Sequence, residues 1–399
     1  MKKIFPKLFK ISTKGKPMEW SVEVIGQDSV SPAQILVSTG QVGGAIQTFK
    51  TEVTSGKNIG RKNQTTPFQQ AEKEALSSWT KARKEGYVES LQNYRPIRKP
   101  MAAHTFSDHI SKVVWPAIVQ PKLEGVHCKV YRGLDDEIYY ESRGGNFFKH
   151  LEYLTPYFKK LLKHPEEEVG VELYSHDNAD LLYATYGHRD YWKEPLSRTH
   201  FEDIVSLVKG EKEENLRRLL LKAYIFDYPS HGGPIQDRLE AIREKSVAAF
   251  GSDLFSDVPI RVIPYFLCLH KEHFNQLHEG FKRQGFEGSM YRKIGSLYQY
   301  DTRSYDLLKH KDFIDKEFRI KEVFEGSGKF SGMAVFSCEA EEGCDSTFEV
   351  VMSATSQEKM LQLQNKCSYI GKMLTVRYQR LTKRGMPYLP VGISIRDYE

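Results

Sequence analysis

The apolar pattern changes character along the chain, and this constrains the fold more than any other feature. Residues 18–54 read as short strands. MEWSVEVIG, AQILVSTGQ and AIQTFKTEV are rich in Val, Ile, Thr and aromatics, with Gly and Ser between them. The polar, basic stretch SGKNIGRKNQTTP reads as a loop. From Pro67 to Glu85 the period becomes helical: Phe68, Ala71, Ala75, Trp79 and Ala82 recur at three- and four-residue steps. Thr66 precedes this run and Pro67 opens it, as at a helix start. NYRPIRKPMAAH, with its prolines, predicts a linker. Residues 1–95 are thus expected to form a small strand-plus-helix domain.

Residues 96–313 alternate strands with amphipathic runs. VHCKVYRG, EIYYESRG, EVGVELYS, KAYIFDYP, IRVIPYFLCL and EGSMYRK read as strands. FEDIVSLVKG, QDRLEAIREKSVAAF and EHFNQLHEGFKRQG read as helices. Residues 314–399 are strand-rich again: FRIKEVFEG, GMAVFSCEA, STFEVVMS and MLTVRYQRL, with SQEKMLQLQ helical. This order predicts an α+β protein ending in a small barrel or sandwich.

Charge divides the chain as texture does. The whole carries 58 Lys+Arg against 52 Asp+Glu, and 58 − 52 gives +6. Residues 1–100 hold 17 cations and 8 carboxylates, and 17 − 8 gives +9; the remainder hold 41 and 44, a balance of −3. The basic excess therefore sits in the first quarter. That fits a polyanion partner and equally a solvated basic face. No apolar run approaches the ~20 residues of a membrane helix. MKKIFPKLFK is basic but lacks the ~7–15 apolar residues of a secretory signal. Cys128, Cys268, Cys338, Cys344 and Cys367 are odd in number, and no two are spaced as CxxC. They read as ordinary buried thiols of a reducing compartment.

One string stands out: Pro121-Lys122-Leu123-Glu124-Gly125. Alone, Lys122 suits a surface turn. It is followed in order by Ser142-Arg143-Gly144-Gly145, Gly170-Val171-Glu172-Leu173-Tyr174 and Tyr224-Ile225-Phe226-Asp227-Tyr228. Then come Gly285-Phe286-Glu287-Gly288-Ser289-Met290-Tyr291-Arg292 and Leu307-Leu308-Lys309-His310-Lys311. Taken singly, Phe226 suits a strand core, Arg143 a turn, and Lys309 and Lys311 one solvated strand face. Glu172 and Glu287 suit edge-strand surface charges, but both sit in apolar strings, where an unpaired carboxylate is costly.

Together these motifs resemble the covalent nucleotidyltransferases: DNA ligases, RNA ligases and capping enzymes. The likeness covers residues 120–313. Residues 314–399, ending in GMPYLPVGISIRD, resemble the OB-fold domain of ATP-dependent DNA ligases, most nearly the small ligases of bacteriophage and bacteria. The resemblance implies a nucleotidyltransferase (adenylation) domain over 96–313 and a β-barrel OB-fold over 314–399. It implies an enzyme that seals 5′-phosphate/3′-hydroxyl nicks in duplex DNA through a lysyl-AMP intermediate and an adenylated DNA end. Every step of that reaction is phosphoryl transfer, so positioning and charge neutralisation carry the catalysis.

The resemblance also assigns roles. Lys122 attacks the α-phosphate of ATP. A free lysine has a pKa near ~10.4 and must be neutral to attack, so nearby cations are needed. Lys309 and Lys311 lie beside the phosphate. Arg143 meets the ribose or the DNA 5′-phosphate, Glu172 the ribose hydroxyls and Phe226 the adenine, with Gln120 beside them. Glu287, with Glu172, holds Mg²⁺, a hard cation suited to carboxylate and phosphate oxygens, with Mn²⁺ as the alternative. Arg396 meets the pyrophosphate, with Lys383 and Arg384 behind it. The motifs depart from the family at three places. Glu124 replaces a usual Asp. Val169 leads the Gly170–Glu172 string where the family often has Asp. The chain closes Arg396-Asp397-Tyr398-Glu399 without a further basic residue.

The N-terminal region loosely resembles WGR-type modules, although Gln41-Val42-Gly43-Gly44 stands where their signature would be. Lys57, Arg61 and Lys62, with Lys73, Lys81, Arg83 and Lys84 on the helix, are expected to track DNA phosphates, which would make binding salt-sensitive. The alternative is a solubilising appendage. The expected partners are nicked double-stranded DNA and ATP, with no membrane. The expected state is a monomer in the cytoplasm of a bacterium or an infected bacterial host. An RNA ligase, a capping-type guanylyltransferase and a non-catalytic nucleic-acid-binding protein are the alternatives.

Overall fold

The computed structural model describes residues 1–12, 14–91, 98–175, 201–210, 219, 221–251, 258–341, 345–382 and 384–396. The first quarter is a five-stranded antiparallel sheet covered by one helix. Strands Pro17–Gly26, Ala33–Gln41 and Ile46–Val53 coincide with the three strand-like strings. Lys2–Ile4 and Leu8–Ile11 add two strands that the basic opening did not announce. Helix Pro67–Lys84 begins at Thr66, whose hydroxyl accepts from Gln69 while Gln69 reaches back to the Thr66 amide. Its buried Phe68, Ala71 and Ala75 pack on Val22, Val24, Ala33 and Ile35, which is the face its period specified.

The middle of the chain forms two five-stranded sheets around a shared core. One runs in the order Ile260–Val262, Lys222–Asp227, Glu168–Tyr174, Val126–Arg132, Ile138–Ser142. The other runs Phe266–Cys268, Ala117–Lys122, Gly288–Lys293, Arg303–Lys311, Ala102–Thr105. Helices Phe201–Lys209, Ile235–Phe250 and Lys271–Arg283 fall on the three amphipathic runs. The string IRVIPYFLCL is not one strand but two, Ile260–Val262 and Phe266–Cys268, in different sheets. Pro264 lies between them; it has no N–H for a ladder and lets the chain cross from sheet to sheet.

The last region is a closed five-stranded barrel of Ile314–Glu325, Ala334–Glu339, Thr347–Met352, Val391–Arg396 and Met373–Tyr378. Closure depends on Val391–Arg396, which pairs with Thr347–Met352 in parallel and Met373–Tyr378 antiparallel. Phe318, Phe336, Phe348, Leu374 and Val376 fill the interior. Helix Ser356–Gln364 is the helical string, capped reciprocally by Thr355 and Glu358.

Cys128, Cys268 and Cys338 are buried free thiols as expected, but Cys367 is exposed, because the turn that carries it packs outside the barrel. Cys344 lies outside the described residues. Among the described residues no helix is long and apolar enough to cross a membrane.

Candidate active site

Strand register assembles the site. Lys122 lies opposite Gly288, and Gly288 opposite Lys311. One step along, Gln120 lies opposite Met290, and Met290 opposite Lys309. Alternate residues of a strand share a face, so Gln120, Lys122, Lys309 and Lys311 project to the same side of the sheet. Gly288 separates the two lysines of its row. A Cβ there would stand 2.1 Å from the His310 carbonyl oxygen, so no side chain fits between them.

Lys122 Nζ lies 2.5 Å from Glu287 Oε2, and Lys311 pairs with the other carboxylate oxygen of Glu287. Lys122 Nζ also donates to the Leu123 carbonyl at 3.3 Å. Burial alone would raise the Glu287 pKa, but the two ammonium groups outweigh it and hold the carboxyl below its ordinary range. Lys309 and Lys311 are pushed down, first by burial and then by a neighbouring cation, Lys311 beside Lys309 and Lys122 beside Lys311.

Glu172 sits on the neighbouring sheet and accepts from the Gly125 amide at 3.2 Å. A Cβ on Gly125 would stand 2.8 Å from Glu172 Cγ, so the glycine of the Lys122 string permits this approach. Burial pushes the Glu172 carboxyl up to about 7, against the pull of Lys122 and Arg143 and with a further push from Glu287. The Phe226 ring lies against Gly170, where a Cβ would stand 2.8 Å away. Beneath it Arg292 lies 5.8 Å from the ring centroid and pairs with buried Asp227 at 2.5 Å; Arg238 holds the same carboxylate at 2.7 Å. Gln120 is 1% exposed and its Oε1 has no hydrogen-bond partner among the described residues.

These residues line a cavity of about 250 Å³ that includes Gln120, Lys122, Arg143, Glu172, Phe226 and Lys309. It adjoins a larger cleft of about 650 Å³ between the two-sheet body and the barrel. The cleft shares Lys122, Arg143, Glu172 and Lys311 with the cavity and adds Glu287 and the barrel residues Gln379 and Tyr388. Cations outnumber carboxylates around both spaces. Such a surplus of positive charge suits a polyphosphate, with the aromatic ring of Phe226 in the cavity lining for a base.

The structure thus brings together Gln120, Lys122, Arg143, Glu172, Phe226, Glu287, Lys309 and Lys311. It places Arg396 elsewhere. That side chain, on a barrel strand, donates to Thr375 at 3.1 Å and pairs with Glu317 at 3.4 Å; it lines neither space. Arg384 does not line them either, and Lys383 lies outside the described residues. Another arginine of the barrel region, Arg380, lines neither space but bonds to the Lys122 string. Its Nε donates to Glu124 at 2.8 Å, its Nη1 donates to Glu202 at 3.2 Å, and its guanidinium lies 4.2 Å from the Tyr388 ring centroid. Lys311 Nζ also donates to Gln379 at 3.4 Å. Sequence reasoning missed Arg380 and Gln379. The only signal was Glu124 itself, a departure that asks for a partner of different reach.

The N-terminal cations are at the surface. Lys57 pairs with Glu74 at 3.1 Å, Lys81 with Glu85 at 4.0 Å and Arg83 with Glu89 at 3.8 Å. Arg61 and Lys62 are exposed on the loop before the helix. Arg83 and Lys84 line a groove with Trp79, Tyr131 and Tyr139, where the first domain meets the two-sheet body.

Comparison with known proteins points to DNA ligases. Residues 325–396 match the DNA ligase OB-like domain family. A DNA ligase of African swine fever virus is 24% identical over 437 aligned positions, covering 98% of this chain and 94% of the relative. The chain is similar to DNA ligases along almost its whole length. Among solved structures, a Lig E DNA ligase, described as binding DNA with a minimal scaffold, superposes with a TM-score of 0.56 at 19% identity, over 75% of this chain and 100% of that one. A second, Pmar-Lig_Pre, gives 0.61 at 16% identity over 77% and 69%. These establish a mixed α/β, ligase-like fold with an OB-like domain.

Proposed function

We propose that this chain is an ATP-dependent DNA ligase that seals 5′-phosphate/3′-hydroxyl nicks in duplex DNA. The observation that carries the reading is the Lys122–Glu287–Lys311 cluster at the junction of the cavity and the cleft. We assign residues 1–95 to DNA grip on a WGR-like module, 96–313 to nucleotide transfer and 314–399 to an OB-fold.

Phe226 stacks the adenine and Glu172 holds the ribose. Lys122 Nζ forms a bond to the α-phosphorus, and the bond to pyrophosphate breaks. In the free site the Lys122 amine is held by the Glu287 carboxylate, a contact that must open before it attacks. Its proton must leave before the N–P bond forms, and Lys309, Lys311 and Arg143 line the space where the phosphate sits. The same cations stabilise the charge that develops on the phosphoryl oxygens. AMP then passes to the DNA 5′-phosphate, and the 3′-hydroxyl displaces it. Glu287 and Glu172 fit Mg²⁺: two carboxylates face the same space, and the charge of Glu287 helps hold the Glu172 pKa up, which a hard cation would relieve. When bound, such an ion neutralises phosphate charge. Arg396 lies outside the cleft in this arrangement, so its contact with pyrophosphate requires the barrel to re-dock. Free thiols suit a reducing compartment, inside a bacterial or virus-infected cell, where the chain acts as a monomer.

The test is incubation with labelled ATP or GTP. A covalent adduct formed with ATP by wild type and lost in Lys122→Ala is expected. An adduct formed with GTP alone would instead identify a guanylyltransferase.

A further inference from the structure

The face of the sheet opposite the lysines carries a second cluster. His310 lies between Lys309 and Lys311, so its side chain projects to the other side. There it meets His278 of helix Lys271–Arg283, with ring centroids 4.3 Å apart, and Asp312 just beyond the strand. One ligand atom from each residue can be chosen so that all three lie within 4.8 Å of one another. We propose that His278, His310 and Asp312 bind one divalent transition ion of the imidazole-preferring class, such as Zn²⁺.

Several features favour a ligand set over a chance polar cluster. His278 Nδ1 lies 2.9 Å from the buried hydroxyl of Ser289, the kind of outer contact that fixes a ligating imidazole and leaves Nε2 to bind. That Nε2 stands 3.1 Å from Asp312 Oδ1, close to the ~3.3 Å edge of a tetrahedron with bonds of about 2.0 Å. His310 is clamped between Phe106 and Phe274, with centroids 5.2 and 5.6 Å away, and has no hydrogen-bond partner among the described residues. Asp312 is exposed, which gives an ion a way in, while His278 is buried and gives it a fixed seat. Two imidazoles and one carboxylate suit Zn²⁺ far better than Mg²⁺. Lys282 now pairs with the second Asp312 oxygen and competes with the ion for it.

A bound ion would tie helix Lys271–Arg283 to the end of the strand that carries Lys309 and Lys311. The proposal is independent of the nucleotide chemistry, and its test reads binding alone. The full chain, stripped with chelator, is dialysed against Zn²⁺ with excess Mg²⁺ present, in a Cys344→Ser/Cys367→Ser background that removes the thiol exposed among the described residues and the one outside them. One equivalent of Zn²⁺ is expected. His310→Gln and Asp312→Asn should weaken it at least about tenfold, and Ser289→Ala by about 10- to 100-fold. Lys282→Met should tighten it. Melting curves without metal identify which variants remain folded, and Lys282→Met at the surface keeps the test open if the buried changes do not. No stoichiometric Zn²⁺ in the parent overturns the proposal. So does unchanged affinity in folded His310→Gln and Asp312→Asn.

Discussion

Arg380 of the barrel donates to Glu124 of the Lys122 string across 2.8 Å, joining residues 256 positions apart. Both side chains are largely buried, at 14% and 9% exposure. The Glu124 carboxylate therefore has a structural partner. It fixes the barrel against the cleft that Lys122 opens onto. Arg380→Ala should weaken that docking by about 1–3 kcal/mol, the cost of losing a hydrogen bond to a largely buried charged group. Small-angle scattering should show a larger radius of gyration for the variant. An unchanged radius would mean that other interactions hold the barrel.

Phe226 depends on Gly170 for its place. A methyl group at Gly170 would come within 2.8 Å of the ring. Gly170→Ala should cost about 1–3 kcal/mol of stability through overpacking and should raise KM for ATP. Phe226→Ala should raise KM more, while Phe226→Tyr should keep it near wild type. Equal KM values across the three would remove Phe226 from the base site.

Glu172 gives stability a specific pH dependence. Burial raises its folded pKa to about 7, above the ~4.3 of an unfolded glutamate. Between those values the folded state binds more protons than the unfolded one, so this group's contribution falls as pH rises through the window. One pKa unit corresponds to about 1.4 kcal/mol. Glu172→Gln should therefore gain stability relative to wild type as pH rises from 5 to 8, read as the difference between melting curves. A constant difference would contradict the buried, raised carboxyl.

Arg61 and Lys62 test the basic front section without touching its core, since both are exposed on a loop. Replacing both with Ala should weaken nicked-DNA binding at low salt. It should also reduce the slope of log K against log salt by about 1 for each DNA phosphate that is no longer neutralised. Self-adenylylation should be unaffected. An unchanged slope would assign the +9 of residues 1–100 to solubility.

Much of the fold was legible because local patterns carried it. Periods of two and of three to four placed Pro17–Gly26, Ala33–Gln41 and helix Pro67–Lys84 nearly to the residue. The candidate-site residues were legible as an ordered series, and register then joined Lys122, Gly288 and Lys311 in one row. Pairings between distant segments were not legible. Arg380 has no local motif, and nothing in sequence places it against Glu124. The closing strand Val391–Arg396 alternates Val391, Ile393 and Ile395, but its sequence does not say that it pairs in parallel with Thr347–Met352 to close the barrel. His310 was hidden by its neighbours, because the alternation that puts two lysines in the site puts it on the opposite face.

Nick sealing tests the central claim most directly. A duplex with a single 5′-phosphate/3′-hydroxyl nick is incubated with ATP, Mg²⁺ and either wild type or Lys122→Ala. Wild type should seal it, and the variant should seal only a nick that already carries AMP on its 5′-phosphate. Sealing of the ordinary nick by Lys122→Ala would contradict the lysyl-AMP account.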